Sequence, residues 1–247
     1  MLEIENLHVK AGGREILKGI DLKVPDGQTC ILFGPNGSGK STLLSAIMGY
    51  GTTSVTEGKI VFKGVDITDK TVDERARLGI GMMMQRPPNI TGVKLGDLVK
   101  ASAKYGYNDD VVKNISDFKL DKFMERDINV GFSGGEIKRS EIMQLTVQRP
   151  DLVLLDEPES GVDLENIDLI GEKVRDLLYH GAAEKGNRKD RSALVITHTG
   201  QILNYIGADL AYIMRDGVIW CSGEPMDIFN DIREKGYGEC IACRTKK

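Results

Sequence analysis

The sequence predicts an α/β fold with a glycine-rich loop at its core, an N-terminal antiparallel β subdomain and an inserted α-helical subdomain. Residues 34–42 carry the pattern Gly-x-x-x-x-Gly-Lys-Ser between an apolar run at 29–33 and a helical pattern at 42–48. Apolar and polar residues alternate over residues 2–9, as in a half-buried strand. From residue 96 to about residue 149, apolar residues recur instead at helical spacing.

The glycine-rich loop has the composition of a phosphate-binding P-loop. Its glycines let the backbone turn tightly and bring successive N–H groups close to phosphate oxygens. Lys40 can supply positive charge to the β- and γ-phosphates, and the Ser41 hydroxyl can bind Mg²⁺. A helix that begins near Lys40 would point its N-terminus at the phosphates. The nucleotide-binding residues predicted from this loop are Gly34, Pro35, Asn36, Gly37, Ser38, Gly39, Lys40, Ser41 and Thr42.

The first third of the chain is predicted to be rich in strands that surround this core. We expect, in order, strands at 2–9 and 16–24, the loop with its flanking strand and helix, a β-hairpin at 57–66, a short helix at 73–78, and a buried strand at 79–84 that ends at Gln85.

The last third returns to an α/β pattern after the helical insertion. Residues 152–155 are too few for a helix and are typical of a fully buried parallel strand. We then expect an amphipathic helix at 164–179, an exposed charged loop at 184–191, a core strand at 193–197, strands at 210–214 and 218–221, and a helix at 227–235. We interpret residues 1–247 as a single domain, in which 1–85 and 150–247 form the catalytic core with its β subdomain and 86–149 form the helical subdomain.

Length and composition indicate an ordinary globular protein. The 247 residues are 40% hydrophobic and 28% charged, which suffices to bury a substantial core. The formal net charge of −4 argues against general nucleic-acid binding, which usually needs a basic face. No apolar run approaches the roughly 20 residues of a membrane span, and the first residues lack the basic and apolar parts of a signal peptide. We therefore expect a cytoplasmic protein with reduced cysteines and no nucleic-acid partner.

An acidic pair follows the predicted strand at 152–155. In a P-loop protein, Asp156 would bind Mg²⁺ directly or through water, and Glu157 would orient or deprotonate the attacking water. Alone, the pair could equally be an exposed turn at the end of a strand. Its position downstream of a P-loop favours the catalytic interpretation.

A second candidate anion site lies at Ser133, Gly134, Gly135 and Glu136, just before a helical pattern at 137–147. Exposed N–H groups, a capping hydroxyl and the positive end of a helix can together bind a phosphate. Taken alone, this motif is more often an ordinary helix cap without a ligand.

With these motifs in this order, nearly the whole chain resembles the ABC-type ATPases. Their signature motif, Leu-Ser-Gly-Gly-Gln in most members, corresponds to residues 132–136. The resemblance implies a P-loop NTPase (RecA-like) core that hydrolyses ATP with Mg²⁺. It also implies that two ATP molecules are sandwiched in a transient head-to-tail homodimer, in which the signature of one chain closes over the P-loop of the other.

The resemblance assigns roles to further residues. Gln85 matches a glutamine that binds Mg²⁺ and water, Asp163 ends a loop at the dimer interface, and His198 matches a histidine that contacts the γ-phosphate. Singly, Gln85 and His198 would be a surface glutamine and a strand-end histidine. The implied catalytic residues are Lys40, Gln85, Glu157 and His198, the implied metal ligands are Ser41, Gln85 and Asp156, and the implied ATP contacts are residues 34–42, Ser133, Gly134, Gly135, Glu136 and Asp163.

Several stretches are most similar to the SufC family of iron–sulfur cluster assembly ATPases. These are Phe-Ser-Gly-Gly-Glu-Ile-Lys-Arg-Ser-Glu-Ile at 132–142, Asp-Glu-Pro-Glu-Ser-Gly-Val-Asp at 156–163, Pro-Pro-Asn-Ile-Thr-Gly-Val at 87–93 and Glu-Lys-Gly-Tyr-Gly at 234–238. This resemblance implies that ATP-driven dimerisation changes the conformation of a soluble SufB- or SufD-like scaffold, docked near residues 85–93 and the helical subdomain.

Two other functions remain open. The chain could be the ATP-binding subunit of an ABC membrane transporter, which would dock its membrane permease at the same surface. It could also be a regulatory or nucleic-acid-associated ABC ATPase, but such proteins usually carry two cassettes and this chain has one.

One family feature is missing. Many of these ATPases stack adenine on an aromatic residue near the N-terminus, where this chain has Val-Lys-Ala-Gly at 9–12. Stacking would contribute on the order of 1 kcal/mol. We therefore expect adenine to pack against aliphatic groups instead.

The cysteines and methionines suggest structural roles. Cys240 and Cys243 could supply half of a metal shell, but a pair of reduced thiols is the favoured interpretation. Cys30 and Cys221 are expected in the core, as is the Met-Met-Met run at 82–84.

Overall fold

The computed structural model describes residues 1–179 and 191–237. Its central sheet has the strand order β12-β11-β3-β10-β9-β6. These strands are β3 (Thr29–Phe33), β6 (Ile80–Met83), β9 (Leu152–Asp156), β10 (Ser192–Ile196), β11 (Leu210–Arg215) and β12 (Val218–Gly223). All neighbours pair in parallel except β11 with β12. The predicted α/β core is confirmed.

Every residue of β3, β9 and β10 is buried, which explains why these strands have no polar face. Alternate residues of each strand point into two separate apolar cores. Ile31 and Phe33 belong to one core, and Cys30 and Leu32 belong to the other. Helices α1 (Lys40–Met48) and α6 (Leu164–Leu178) cover opposite faces, because their apolar residues join different cores.

The N-terminal strands form a separate antiparallel sheet in the order β2-β1-β4-β5. It consists of β1 (Leu2–Ala11), β2 (Arg14–Val24), β4 (Thr53–Phe62) and β5 (Val65–Asp66). Leu2, Ile4, Leu7 and Val9 point from β1 into the core shared with α1. Helix α2 (Val72–Leu78) follows this sheet, and α7 (Pro225–Lys235) follows β12.

The region between β6 and β9 is largely helical. It contains α3 (Leu95–Ser102), α4 (Asp109–Asp117), a short 3₁₀ turn at Asp121–Phe123 and α5 (Gly134–Gln148). It also contains a strand pair, β7 (Ile90–Lys94) with β8 (Asp127–Ile128), that the sequence pattern did not predict. All five residues of β7 are exposed, so no alternation marks the strand.

Tertiary contacts hold β7 in place. Lys94 pairs with Asp127 at 2.8 Å, and the Gly92 N–H donates to the same carboxylate at 3.0 Å. This strand depends on pairing with residues more than 30 positions away, so its own amino-acid composition does not predict it.

Some predictions for single residues need correction. Arg191 was expected in an exposed charged loop but is buried and donates to the Leu177 carbonyl. Met83 is in the core, whereas Met82 and Met84 are half-buried and line a surface groove. Cys30 and Cys221 are buried as predicted. Residues 184–190, Cys240 and Cys243 lie outside the described residues. Within the described ranges, no helix is both long and apolar enough to cross a membrane.

Candidate active site

The carboxyl ends of the parallel strands place the predicted site residues at one edge of the central sheet, where ligands bind in open α/β folds. The P-loop follows β3, Gln85 lies two residues after β6, Glu157 follows β9, and His198 lies two residues after β10. These four segments are far apart in sequence and adjacent in strand order.

The P-loop backbone needs glycine at its first position. Gly34 has φ 157°, and a Cβ there would lie 2.2 Å from the Met214 carbonyl oxygen. Gly39, in the left-handed region, is the N-cap of α1. The loop therefore leads directly into a helix whose first residues, Lys40, Ser41 and Thr42, line the cavity described below.

Lys40 is folded back onto its own loop. Its Nζ donates to the Gly34 carbonyl at 2.8 Å and to the Pro35 carbonyl at 2.9 Å. Burial lowers the pKa of Lys40, and the nearby Glu157 and Asp156 carboxylates oppose that effect. The ammonium group thus lies within the loop that would surround the phosphates.

The Glu157 carboxylate is held from both sides. Gln85 Nε2 donates to one oxygen at 2.5 Å, and His198 Nε2 lies 2.7 Å from the other. Glu157 also has φ +50°, a strained conformation for a residue with a side chain. Its backbone N–H donates to the Ile196 carbonyl at 3.1 Å, which anchors this turn to the neighbouring strand.

The environment of Asp156 fits a hard cation. The side chain is 3% exposed, and Oδ1 has no hydrogen-bond partner among the described residues. Burial raises the pKa of Asp156, whereas a hydrogen bond from the Ser41 hydroxyl lowers it. Oxygen donors of this type suit Mg²⁺, which usually takes one or two protein ligands and completes its shell with water and phosphate. In the described ranges, no cluster of three or more His, Cys, Asp or Glu side chains forms an all-protein metal site.

These groups surround an open cavity of about 460 Å³. Its polar wall combines the P-loop with Gln85, Glu157 and His198, and Ile16 supplies an apolar wall. None of its lining residues is Phe, Tyr or Trp, and residues 9–12 supply no such ring either. The cavity is lined by Ile16, Asn36, Gly37, Gly39, Lys40, Ser41, Thr42, Gln85, Glu157 and His198.

The signature residues do not line this cavity. Ser133 is the N-cap of α5: its hydroxyl accepts from the Glu136 N–H at 3.4 Å, and its own N–H donates to the Glu136 carboxylate at 2.8 Å. This capping box explains why Ser and Glu occur at that spacing. Gly134 packs so closely on residues 160–163 that a Cβ would lie 2.3 Å from the Gly161 carbonyl oxygen.

Asp163 also caps a helix of its own chain. Its carboxylate caps α6 by accepting from the Asn166 N–H at 2.9 Å. The structure therefore brings together Lys40, Ser41, Gln85, Asp156, Glu157 and His198 within one chain, but not residues 133–136 or Asp163.

Two ionisable residues behind Gln85 were not predicted from the sequence: Lys138, which is buried, and Glu141, which is half-buried and lines a surface groove. Lys138 Nζ donates to the Met84 and Gln85 carbonyls at 3.4 and 3.0 Å, and Glu141 accepts from the Met84 N–H at 3.5 Å. Burial lowers the pKa of Lys138 and raises that of Glu141 to about 7. The only sequence signal was their i, i+3 spacing, which puts both on one face of α5.

A third missed residue is Glu159, which lies beside the segment that carries His198. It is 6% exposed and accepts hydrogen bonds from the hydroxyls of Thr197 and Thr199. Burial raises its pKa. No pattern in the sequence predicts its burial, because charged side chains are usually solvated.

Comparison with known proteins identifies the family of this chain. Residues 17–160 match the family model described as ABC transporter. The chain belongs to the ABC transporter family of ATP-binding proteins. It is an ATPase, and its cofactors are ATP and Mg²⁺.

Its relatives match over nearly their full length. A "Probable ABC transporter ATP-binding protein" of Streptococcus pyogenes serotype M3 is 41% identical over 96% of this chain and 93% of that protein. An uncharacterized ABC transporter ATP-binding protein of Methanocaldococcus jannaschii is 37% identical over 97% of this chain and 95% of that protein. Among solved structures, a dimeric ATP-binding cassette bound to ADP and Pi has the same fold, with a TM-score of 0.72, 22% identity, and coverage of 91% of this chain and 98% of that one.

Proposed function

We propose that this ABC ATPase works as a head-to-tail homodimer that drives conformational change in a SufB/SufD-like scaffold for iron–sulfur cluster assembly. The observation that carries the dimer is the composition of the cavity. Lys40, Gln85, Glu157 and His198 lie on its walls, whereas Ser133 and its neighbours lie elsewhere in the chain. One chain thus offers only one side of a γ-phosphate site, and the N-terminus of α5 from a second chain would cover the other.

Each cavity residue has a role that its chemistry supports. Lys40 would exchange its two carbonyl partners for phosphate oxygens, a better match for an ammonium group. Ser41, Gln85 and Asp156 would hold Mg²⁺, which when bound neutralises charge on the phosphates. Glu157 would orient and deprotonate the attacking water.

Two side chains hold the Glu157 carboxylate in place. Gln85 contacts one of its oxygens and His198 contacts the other, and each oxygen keeps a second lone pair that can accept from water. When ATP and Mg²⁺ bind, Gln85 would contact Mg²⁺ instead of Glu157. His198 would contact the γ-phosphate instead of Glu157. Binding of ATP would therefore release the base that hydrolyses it. The adenine ring would pack against the apolar side chain of Ile16.

The scaffold role rests on the local similarities to the SufC family at 87–93, 132–142, 156–163 and 234–238. A groove of about 250 Å³ between the core and the helical subdomain is a suitable docking surface. It adjoins Gln85 through Met84 and Pro87, and Tyr50, Leu98 and Glu141 also line it. A cytoplasmic location follows from this role.

A second candidate is the ATP-binding subunit of an ABC membrane transporter. The names of the relatives, both ABC transporter ATP-binding proteins, favour it. Because a permease would dock on the same groove, the location of the groove does not discriminate between the two functions.

Affinity purification of the tagged chain from its own cells, followed by mass spectrometry, discriminates between them. We expect a soluble, β-rich scaffold that carries an iron–sulfur cluster. Recovery of a multi-span membrane protein instead would overturn the scaffold role and leave the ATPase site intact.

Two matched variants test the docking surface. Val93 in β7 and Val65 in β5 are 41% and 42% exposed. Val93→Asp should lose the partner, and Val65→Asp should retain it. Equal retention by both variants would remove β7 from the docking surface.

A further inference from the structure

Two loops at the edge of the central sheet run side by side. β9 and β10 are parallel neighbours with Asp156 opposite Ile196, and the Glu157 N–H donates to the Ile196 carbonyl. The turn at 157–163 therefore lies against the segment 197–200. The first carries the proposed base Glu157, and the second carries His198.

A buried carboxylate ties these loops together. One oxygen of Glu159 accepts from the Thr197 hydroxyl, and it also accepts from the Thr199 hydroxyl at 3.1 Å. Thr197 is fully buried and accepts in turn from the Gly200 N–H at 2.9 Å. The second oxygen of Glu159 is buried with no partner among the described residues. Burying a carboxylate oxygen without a hydrogen-bond partner costs folding free energy. Packing alone therefore does not explain why a glutamate occupies position 159.

The two threonines flank His198 on both sides in the chain. Glu159 thus binds the side-chain hydroxyls on either side of the histidine, while His198 Nε2 lies 2.7 Å from Glu157. Two carboxylates from one turn bind one short segment of the next loop. The Glu157 contact orients the ring, and the Glu159 contacts orient the backbone that carries it.

The same turn touches the start of the signature helix. The Ser160 N–H donates to the Glu157 carbonyl at 3.1 Å, and the Val162 N–H donates to the Glu159 carbonyl at 3.4 Å. The Gly161 carbonyl oxygen lies directly over Gly134. A displacement of residues 160–163 would therefore move Glu159, to which they are bonded through the backbone. Movement of Glu159 would in turn shift the two threonines beside His198.

We propose that Glu159 is a positioning residue for ATP hydrolysis, which holds His198 in register with Glu157 and couples it to the turn at 160–163. The inference rests on the proposed role of His198. Glu159 does not line the cavity, so it acts through His198 and not on the nucleotide. Misplacement of a catalytic group by about 1 Å can cost about 100-fold in rate.

Steady-state ATPase assays of the full chain test this role. We expect Glu159→Ala to lower kcat about 10- to 100-fold with little change in KM for ATP. Glu159→Gln keeps an oxygen acceptor for both hydroxyls and should stay close to wild type. Thr199→Val should lower kcat in the same direction, whereas Thr56→Val, at another exposed threonine, should not.

A double-mutant cycle with His198→Ala separates positioning from a general structural effect. If Glu159 acts through His198, the variant that carries both changes should be no slower than His198→Ala alone. Fully additive losses would overturn the proposal, and so would unchanged kcat in both Glu159→Ala and Thr199→Val. Unchanged activity in His198→Ala would instead contradict the proposed function itself. If Glu159→Ala does not fold, the Thr199→Val result decides.

Discussion

Replacing Glu141 with glutamine should stabilise the protein at high pH and leave it unchanged at low pH. Glu141 lies in α5 behind the Gln85 segment, and burial raises its pKa from 4.5 to about 7 against the opposing effects of the Met84 N–H and Lys138. The folded protein therefore binds this proton more tightly than the unfolded chain does. Glutamine has the same shape and keeps an oxygen acceptor for the Met84 N–H, but it cannot ionise.

The size of the effect follows from the two pKa values. Stability from the protonated carboxyl group is fully present below the unfolded value of 4.5 and is lost as the pH rises through about 7. The difference between these values corresponds to about 3 kcal/mol in the free energy of unfolding. Glu141→Gln should therefore match wild type near pH 4.5 and exceed its stability by up to about 3 kcal/mol at pH 8.

Urea unfolding at several pH values between these limits measures this difference. Glu172→Gln, at an exposed glutamate of α6, is the control and should show no comparable pH dependence. If the difference in unfolding free energy between Glu141→Gln and wild type is the same at every pH, the raised pKa of Glu141 is refuted as its cause. A variant less stable than wild type at pH 8 would show that the ionised carboxylate gains more from Lys138 than it loses by burial.

Three further predictions concern the nucleotide site and the packing of α1. Lys40→Ala should abolish ATP turnover without unfolding the chain, and unchanged turnover would exclude the P-loop from the mechanism. Glu157→Gln should bind ATP, lose hydrolysis and accumulate an ATP-bound dimer in light scattering. Persistent monomer with ATP and partner present would contradict the head-to-tail arrangement. Arg75→Met should lower the unfolding free energy by about 3 kcal/mol in urea titrations, because Arg75 is buried and donates to the Ala46 and Ile47 carbonyls that end α1. The exposed Arg77→Met should change it little.

The sequence was most informative where the determinants are local. The P-loop pattern places a strand before it and a helix after it, and both are observed. The Ser133–Glu136 spacing is a capping box that begins α5 as expected. The buried strands were recognisable because helices cover both faces of the sheet and leave no polar alternation.

The sequence was least informative about ionisable residues that the fold buries or half-buries. Lys138, Glu141 and Glu159 look like surface residues in the sequence, because charged side chains are usually solvated. Their partners lie 54, 57 and 38 residues away. Strand β7 escaped detection for a related reason, since its pairing with β8 and its contacts with Asp127 define it.

By itself, the sequence determined the α/β fold, the glycine-rich loop and the order of the candidate site residues, because helix caps, tight turns and buried strands depend on neighbours within a few positions. Only the tertiary structure decided which of those residues meet. The neighbouring strands β6, β9, β10 and β3 place Gln85, Glu157, His198 and the P-loop at one edge of the central sheet. No local sequence pattern encodes that strand order. It also decided that Glu157 is held between Gln85 and His198, and that the signature lies outside the cavity of its own chain.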